Sequence, residues 1–231
     1  MKKKDIFIPF VLQKVGYVIL FVLYKFFLRL EIRGVGNLEK EKGPFIFAFN
    51  HTHELDATLF PFALPFLSRH APFFSVAASQ EKYKTFGWRG YLYGGTFFNA
   101  LGAYSVFSGF KDYAFALQNH ETILKAGYSV CIFPEGKRTP DGKLGPARGG
   151  LGYLAYATGV KVVPVALVGL YKISLRDFFT CSRKEVVVTV GTPIHLEIKE
   201  ATKEAFTEAG EAVMRGISKF CLLYTSPSPR D

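Results

Sequence analysis

Short runs of apolar residues alternate along the chain with longer stretches in which apolar residues recur at helical spacing. The short runs predict buried strands at residues 31–36, 44–49, 72–78, 101–108, 128–133, 160–168 and 185–190. The helical spacing predicts helices at residues 57–64, 80–99, 110–126, 147–158 and 201–220, with a bend at Gly94-Gly95 inside the second of them. Strands and helices that alternate with short links predict an α/β domain with a mostly parallel or mixed sheet.

The N-terminal segment is basic and then strongly apolar. Residues 2–4 are lysines, and residues 6–30 contain an uninterrupted apolar run of about ten residues. That run is shorter than the roughly 20 residues that span a bilayer, and no small-residue cleavage site follows it. We therefore expect a membrane-associated helix that lies in the interface, with its Lys and Arg side chains reaching the lipid headgroups. The alternatives are a tilted or re-entrant insertion and a core helix of the domain.

The chain divides into three segments on this basis. Its 231 residues fit one domain with a full core. We expect residues 1–30 to form the membrane-associated helix and residues 31–221 to form the domain. The composition changes sharply at residues 222–231, which we expect to be a non-native or truncated tail and leave out of the fold.

Composition and charge favour a lipid partner. Hydrophobic residues make up 49% of the chain and aromatic residues 16%, and the formal net charge is +10. A basic balance favours a polyanionic partner, and the apolar excess fits anionic lipid better than nucleic acid. The three cysteines stand apart, without metal-binding spacing, which is typical of a reduced compartment. We expect a protein at the cytoplasmic face of a membrane, with no nucleic-acid partner.

A polar turn between a predicted strand and a predicted helix carries the first candidate site. His51 follows the strand at residues 44–49, and Asp56 precedes the helix at residues 57–64. A carboxylate in this position can bind one ring nitrogen of the imidazole and leave the other free to take a proton from a hydroxyl. The pattern therefore predicts a general base. The alternative is a loop histidine followed by a helix-capping aspartate.

A second polar loop follows the predicted strand at residues 128–133. It contains Glu135, Gly136, Lys137 and Arg138. Ligands of open α/β sheets bind where strands end, glycine permits close approach of the backbone, and Arg can hold a phosphate in a bidentate manner. Glu135 can accept a hydrogen bond from a hydroxyl. The alternative is a solvated turn with a surface ion pair.

Several common catalytic signatures are missing or incomplete. No Gly-x-Ser-x-Gly sequence occurs, so a serine nucleophile is not expected. The stretch at residues 136–139 lacks the upstream glycine of a Walker A loop, because Cys131 stands in its place. His53 with Glu54 or Asp56 has no further ligand at a fixed spacing, so no metal site is expected.

Taken together, these blocks resemble the glycerolipid acyltransferase family, whose best-known members acylate lysophosphatidic acid (1-acylglycerol-3-phosphate). Residues 50–56 are similar to the family's first block, and residues 133–139 to its third, usually Phe-Pro-Glu-Gly-Thr-Arg-Ser. Residues 163–166 are similar to the fourth block, and residues 145–150 fit the stretch between the last two. The resemblance implies a mixed, mostly parallel sheet flanked by helices, as in glycerol-3-phosphate acyltransferases, and N-terminal helices that dock on a membrane.

The resemblance also implies a membrane-associated O-acyltransferase. Members transfer a fatty acyl group from acyl-CoA or acyl carrier protein to the hydroxyl of a lysophospholipid, 1-acyl-sn-glycerol-3-phosphate above all. His51 is then the general base and Asp56 orients it. The acceptor head group is expected at Glu135, Gly136, Lys137 and Arg138. The acyl thioester is a co-substrate, and no other cofactor is implied.

One position departs from the family pattern. The family's second block usually ends in an Arg that helps to bind the glycerol phosphate, and alignment from Gly102 places Ser108 there. The loss of a charged hydrogen bond weakens binding by about 1.5–3 kcal/mol, which Lys111 is placed to offset, and Lys137 replaces the family's usual Thr. Otherwise the acceptor is another lysolipid or a hydroxylated lipid. A phospholipid transacylase and a non-catalytic lipid-binding protein are the remaining alternatives.

Overall fold

The structure is a computed structural model. It describes residues 3–39, 41–77, 95–107, 112–171, 173–174, 177 and 183–225. Most of the interrupted helix predicted at residues 80–99 lies outside these ranges.

Seven strands form one sheet within the described residues. They are β1 (Leu28–Arg33), β2 (Ile46–Phe49), β3 (Phe73–Ala77), β4 (Ala103–Ser105), β5 (Ser129–Ile132), β6 (Val162–Val168) and β7 (Lys184–Val190). Their order in the sheet is β1-β7-β6-β2-β5-β3-β4. Neighbouring strands are parallel except for β6 and β7, which are antiparallel. The predicted mixed, mostly parallel sheet is thereby confirmed.

Helices cover both faces of this sheet. They are α1 (Lys3–Phe27), α2 (Asp56–Ala63), α3 (Thr96–Ala100), α4 (Tyr113–Lys125), α5 (Gly150–Thr158) and α6 (Lys203–Thr225), with a 3₁₀ turn at Val35–Leu38. Gly159 ends α5 in the left-handed conformation at φ +66°, which glycine adopts without a Cβ penalty. Helix α6 continues past Phe220, so its last turn includes residues that the composition assigned to the tail.

The central strand β2 contributes side chains to an apolar core on each face of the sheet. All four of its residues are buried, as expected for a strand covered on both faces. Ile46 and Ala48 pack with residues of α4, α5 and α6, whereas Phe47 and Phe49 pack on the opposite face with Phe60 of α2. Full burial of one such Phe side chain contributes roughly 1.5–3 kcal/mol. These contacts hold the end of β2, where the polar turn begins.

The edge strand β1 begins earlier than its apolar pattern predicts. It starts at Leu28, inside the segment expected to be helical to residue 30, and ends at Arg33. Its residues are mostly exposed, so alternation of apolar and polar residues is weak there. The parallel pairing with β7, in which Leu28 lies opposite Lys184, defines the strand instead.

Helix α1 is longer than its uninterrupted apolar run. It has 25 residues and is long and apolar enough to cross a membrane by length and composition. Only 6% of its most apolar 18-residue window is buried, so the alternative of a core helix is wrong. Gln13 lies in the middle of α1 and turns toward the domain, where its side-chain amide donates to the carbonyl oxygens of Phe73 and Leu101. The helix therefore continues through Gln13, because the polar side chain has hydrogen-bond partners in the domain.

The histidine on α4 is a titratable side chain buried in the core. His120 is fully buried, and its Nε2 lies 3.1 Å from the carbonyl oxygen of Tyr104 and 3.4 Å from that of Ser75. Burial lowers its pKa from 6.5 to about 4, against the opposing effect of the two backbone hydrogen bonds. His120 is therefore neutral at pH 7 and donates from Nε2 to β3 and to the edge strand β4.

We expect His120 to make the stability depend on pH between about 6.5 and 4. In that range the unfolded chain binds a proton at this residue that the folded protein does not, so the free energy of unfolding falls as the pH falls. The full effect is on the order of 3 kcal/mol. Urea denaturation in mild detergent at a series of pH values measures it. His120→Gln should lose this part of the slope, whereas exposed His195→Gln should keep it. Parallel curves for wild type and His120→Gln would contradict the expectation.

Candidate active site

The polar turn leaves β2 at the carboxyl edge of the sheet and is anchored there by Asn50. Asn50 is buried, its side-chain amide donates to the carbonyl oxygen of Leu167 at 2.8 Å, and its side-chain oxygen accepts from the Leu167 N–H at 2.7 Å. Leu167 belongs to β6, the strand beside β2. The chain therefore enters the turn in a fixed direction, and the next residue is His51.

His51 and Asp56 form the predicted pair. The His51 Nδ1 lies 3.0 Å from the Asp56 Oδ2. Because a carboxylate only accepts, Nδ1 carries the hydrogen and Nε2 is left with its lone pair. The side chain of Asp56 is fully buried and that of His51 is 20% exposed. The pair has the geometry of a general base whose free nitrogen can be reached from solvent.

The same Asp56 oxygen also organises the turn. It accepts from the backbone N–H groups of Thr52 at 2.6 Å and His53 at 2.8 Å. Asp56 is the first residue of α2, where the positive end of the helix dipole favours a negative charge. A general-base pair and a helix-capping aspartate were the two interpretations offered by the sequence. They are compatible, because the hydrogen bonds from the backbone hold the carboxylate in place for the imidazole.

Phe133 supports the imidazole from one face. The two rings are stacked, with centroids 4.1 Å apart and planes 22° from parallel. Phe133 directly follows β5, the neighbour of β2 in the sheet. Sequence reasoning treated Phe133 as the end of a strand and missed this contact. The strand order alone brings it under His51.

Glu135 joins the two candidate loops. It is buried, and its Oε1 accepts from the His51 N–H at 2.8 Å while its Oε2 accepts from the Gly145 N–H at 2.8 Å. Burial raises the pKa of this carboxyl, and the two backbone hydrogen bonds oppose that shift. The Thr139 N–H also donates to the His51 carbonyl at 2.9 Å. The second loop thus holds the backbone of His51 on both sides, and the predicted role of Glu135 in substrate binding stays a prediction.

Gly136 lets an arginine side chain pass close to the backbone. Its φ is +67°, and a Cβ there would lie 2.8 Å from the Cδ of Arg148. Any side chain at this position would therefore be strained and would displace Arg148. Sequence reasoning named Arg148 only as part of the stretch at residues 145–150 and did not single it out as a site residue.

The other basic residues predicted for the site lie at its rim. Arg138 Nη1 is 3.0 Å from the Glu54 Oε1, and both side chains are more than half exposed. Lys137 is exposed beside Arg138. Ser108 and Lys111 lie outside the described residues, so their predicted roles stay predictions. In the part of the chain that is described, no group of three or more His, Cys, Asp and Glu side chains could hold a metal ion.

The fold and the site define an α/β protein that presents a histidine–aspartate pair, with a basic loop beside it, at the carboxyl edge of a mixed sheet. A family model described as "Acyltransferase" matches residues 29–168, which contain both loops. The chain belongs to this acyltransferase family.

Relatives of known name agree with this assignment. A chloroplastic 1-acyl-sn-glycerol-3-phosphate acyltransferase of Brassica napus is 51% identical over 51 residues, which are 22% of this chain and 15% of the relative. One from Chlamydomonas reinhardtii is 30% identical over 144 residues, 62% of this chain and 40% of the relative. The matches thus span less than half of either relative's length.

A solved structure shares the fold. The 1-acyl-sn-glycerophosphate (LPA) acyltransferase of Thermotoga maritima superposes with a TM-score of 0.62 at 23% identity, covering 94% of this chain and 79% of that protein. The similarity supports the predicted fold class.

We expect Glu135→Gln to lower the free energy of unfolding by roughly 1–3 kcal/mol, because an amide has a single acceptor oxygen and leaves one backbone N–H without its partner. Urea denaturation measures the loss. Glu208→Gln, at an exposed position of α6, is the matched control and should change stability by less than about 0.5 kcal/mol. An unchanged midpoint in Glu135→Gln would show that the bridge between the loops contributes nothing.

Proposed function

We propose that this protein is a membrane-associated O-acyltransferase of phospholipid synthesis. It transfers a fatty acyl group from acyl-CoA or acyl carrier protein to the hydroxyl of 1-acyl-sn-glycerol-3-phosphate. The observation that carries the proposal is the His51–Asp56 pair, 3.0 Å apart, beside the basic loop that holds Arg138. The names of the matched relatives support the choice of acceptor.

The proposed chemistry is direct transfer. The Nε2 of His51 takes the proton of the acceptor hydroxyl as that oxygen attacks the thioester carbonyl carbon. Asp56 balances the charge of the imidazolium. The carbon–sulfur bond of the tetrahedral intermediate then breaks, and the leaving thiolate receives the proton from His51. The ester oxygen comes from the acceptor, so the step requires no covalent intermediate on the enzyme.

The proposed phosphate site lies at the basic rim. Arg138 is oriented by Glu54, a residue of the turn that also holds the catalytic pair. Lys137 and Arg148 add positive charge on the same loop system, since the Arg148 stem lies against Gly136. An exposed ion pair such as Arg138–Glu54 is worth about 1 kcal/mol or less, so a phosphate can replace Glu54 as the partner of Arg138.

The proposed membrane-docking face is the outer side of α1. Large exposed apolar side chains lie along it: Phe7, Ile8, Val15, Val18, Ile19, Phe21, Val22 and Phe26. Leu67, 84% exposed, lies in the loop after α2 next to Phe66, whose ring packs edge-on against that of Tyr17 on α1. Because Gln13 is bonded to the domain halfway along α1, we favour a helix that lies in one leaflet, at the cytoplasmic face, over one that crosses the bilayer.

An acyl-transfer assay with labelled donors tests the proposed function. Purified protein in mixed micelles receives acyl-CoA or acyl carrier protein thioester, with lysophosphatidic acid, zwitterionic lysophospholipids or a neutral hydroxylated lipid as acceptor. We expect transfer to lysophosphatidic acid. His51→Ala should lower kcat at least about a thousandfold and Asp56→Asn somewhat less, because both remove the base or its orientation.

The other outcomes of this assay separate the alternatives. Transfer only to the other acceptors would assign a different lysolipid. Transfer between phospholipids without a thioester would assign a transacylase. Binding without any transfer would assign a lipid-binding protein, and near-normal rates in folded His51→Ala would overturn the proposed mechanism.

We expect Arg138→Ala to raise KM for lysophosphatidic acid about tenfold with little change in kcat, because a charged hydrogen bond to phosphate contributes about 1.5 kcal/mol or more. The matched control is Arg33→Ala, which removes the arginine of another exposed ion pair, with Glu31 on β1. Initial rates over a range of acceptor concentrations measure both. Equal KM values in the two variants would contradict a role for Arg138 in phosphate binding.

A further inference from the structure

A partly buried chain of hydrogen bonds connects the apolar helix α1 to the start of α2. The hydroxyl of Tyr24, near the end of α1, lies 2.6 Å from the Thr58 Oγ1, and Thr58 Oγ1 donates to the carbonyl oxygen of Leu55 at 2.8 Å. Tyr24 is only 3% exposed. Because the threonine hydroxyl has one hydrogen and gives it to Leu55, Tyr24 is the donor to Thr58.

The first turn of α2 needs such support. Leu55, the residue before the helix, makes no side-chain capping hydrogen bond. The helix has eight residues and contains Pro61, so its own stability is low. Tyr24 also packs with Leu28, Leu59 and Leu170 in one buried cluster, which includes the fully buried Leu59 on this turn. External contacts from α1 therefore hold the start of α2.

The same turn carries the acid of the catalytic pair. Asp56 lies between Leu55 and Thr58 in sequence, and its Oδ2 accepts from His51 and from two backbone N–H groups of the polar turn. A shift of the α2 start changes the distance and angle between Asp56 and His51. Small changes of this kind are costly, because a misplacement of about 1 Å can lower a rate on the order of a hundredfold.

We propose that Tyr24 is a positioning residue for the His51–Asp56 pair, and that through Thr58 it connects the membrane-docking helix to the chemistry. The inference rests on the proposed function for its kinetic consequences. It adds to that function a role for α1 beyond attachment to lipid, since displacement of α1 from the domain would also loosen the catalytic pair.

Kinetics of Tyr24→Phe and Thr58→Val test the proposal. Each variant keeps the shape of its side chain and loses the hydroxyl. We expect kcat to fall about tenfold and KM to stay within about twofold. In an Asp56→Asn background, Tyr24→Phe should have no further effect, because its action passes through Asp56. Tyr153→Phe is the matched control, since it removes a tyrosine hydroxyl that donates to Glu121, a residue of α4, and should leave kcat unchanged.

Amide hydrogen exchange gives a readout that does not need turnover. The N–H groups of Thr52 and His53 donate to Asp56 and should exchange at least about tenfold faster in Tyr24→Phe, but not in Tyr153→Phe. Faster exchange in a protein that transfers no acyl group would reject the proposed function and keep the positioning role. In an active enzyme, an unchanged kcat, an unchanged exchange rate, or an equal loss of rate in the Asp56→Asn background would each overturn it.

Discussion

The site depends on one buried carboxylate oxygen. Asp56 Oδ2 accepts from the His51 ring and from two backbone N–H groups of the turn between them. A buried charge is strongly unfavourable unless it is hydrogen-bonded, so these three donors both stabilise the buried carboxylate and draw the turn tightly around it. The imidazole tautomer and the shape of the turn between His51 and Asp56 follow from this one acceptor.

Glu135 holds the backbone of His51 by a hydrogen bond, as Asp56 holds its ring. It bridges the N–H groups of His51 and Gly145, which lie on different loops. With Phe133 stacked on the imidazole, the histidine is held through its backbone, one ring nitrogen and one ring face. Only Nε2 of the His51 ring is left to take a proton, and a general base needs no other free atom.

The apolar helix and the polar site are parts of one structure. Gln13 fastens the middle of α1 to β3, and Tyr24 fastens its end to the helix that begins with Asp56. The proposed acceptor lipid has an apolar tail and an anionic head, so an enzyme that acts on it needs an apolar surface and a basic rim near one base. The exposed face of α1 and the Arg138 loop provide these two surfaces on the domain that carries His51.

The sequence by itself determined the features that depend on residues close together in the chain. Alternating apolar runs predicted the strands and helices, and His51 and Asp56 were paired correctly because a strand, a short turn and a helix bring residues five apart into contact. Tertiary structure decided the rest. Periodicity does not say which strands are neighbours or that β6 and β7 are antiparallel, and the Glu135 bond to His51 joins residues 84 apart. The partners of Gln13 at Phe73 and Leu101 are likewise distant in the chain, so the sequence did not predict that α1 is fastened to the domain at this residue. Contacts between residues far apart in the chain require the strand order, and that order is set by packing of the whole core.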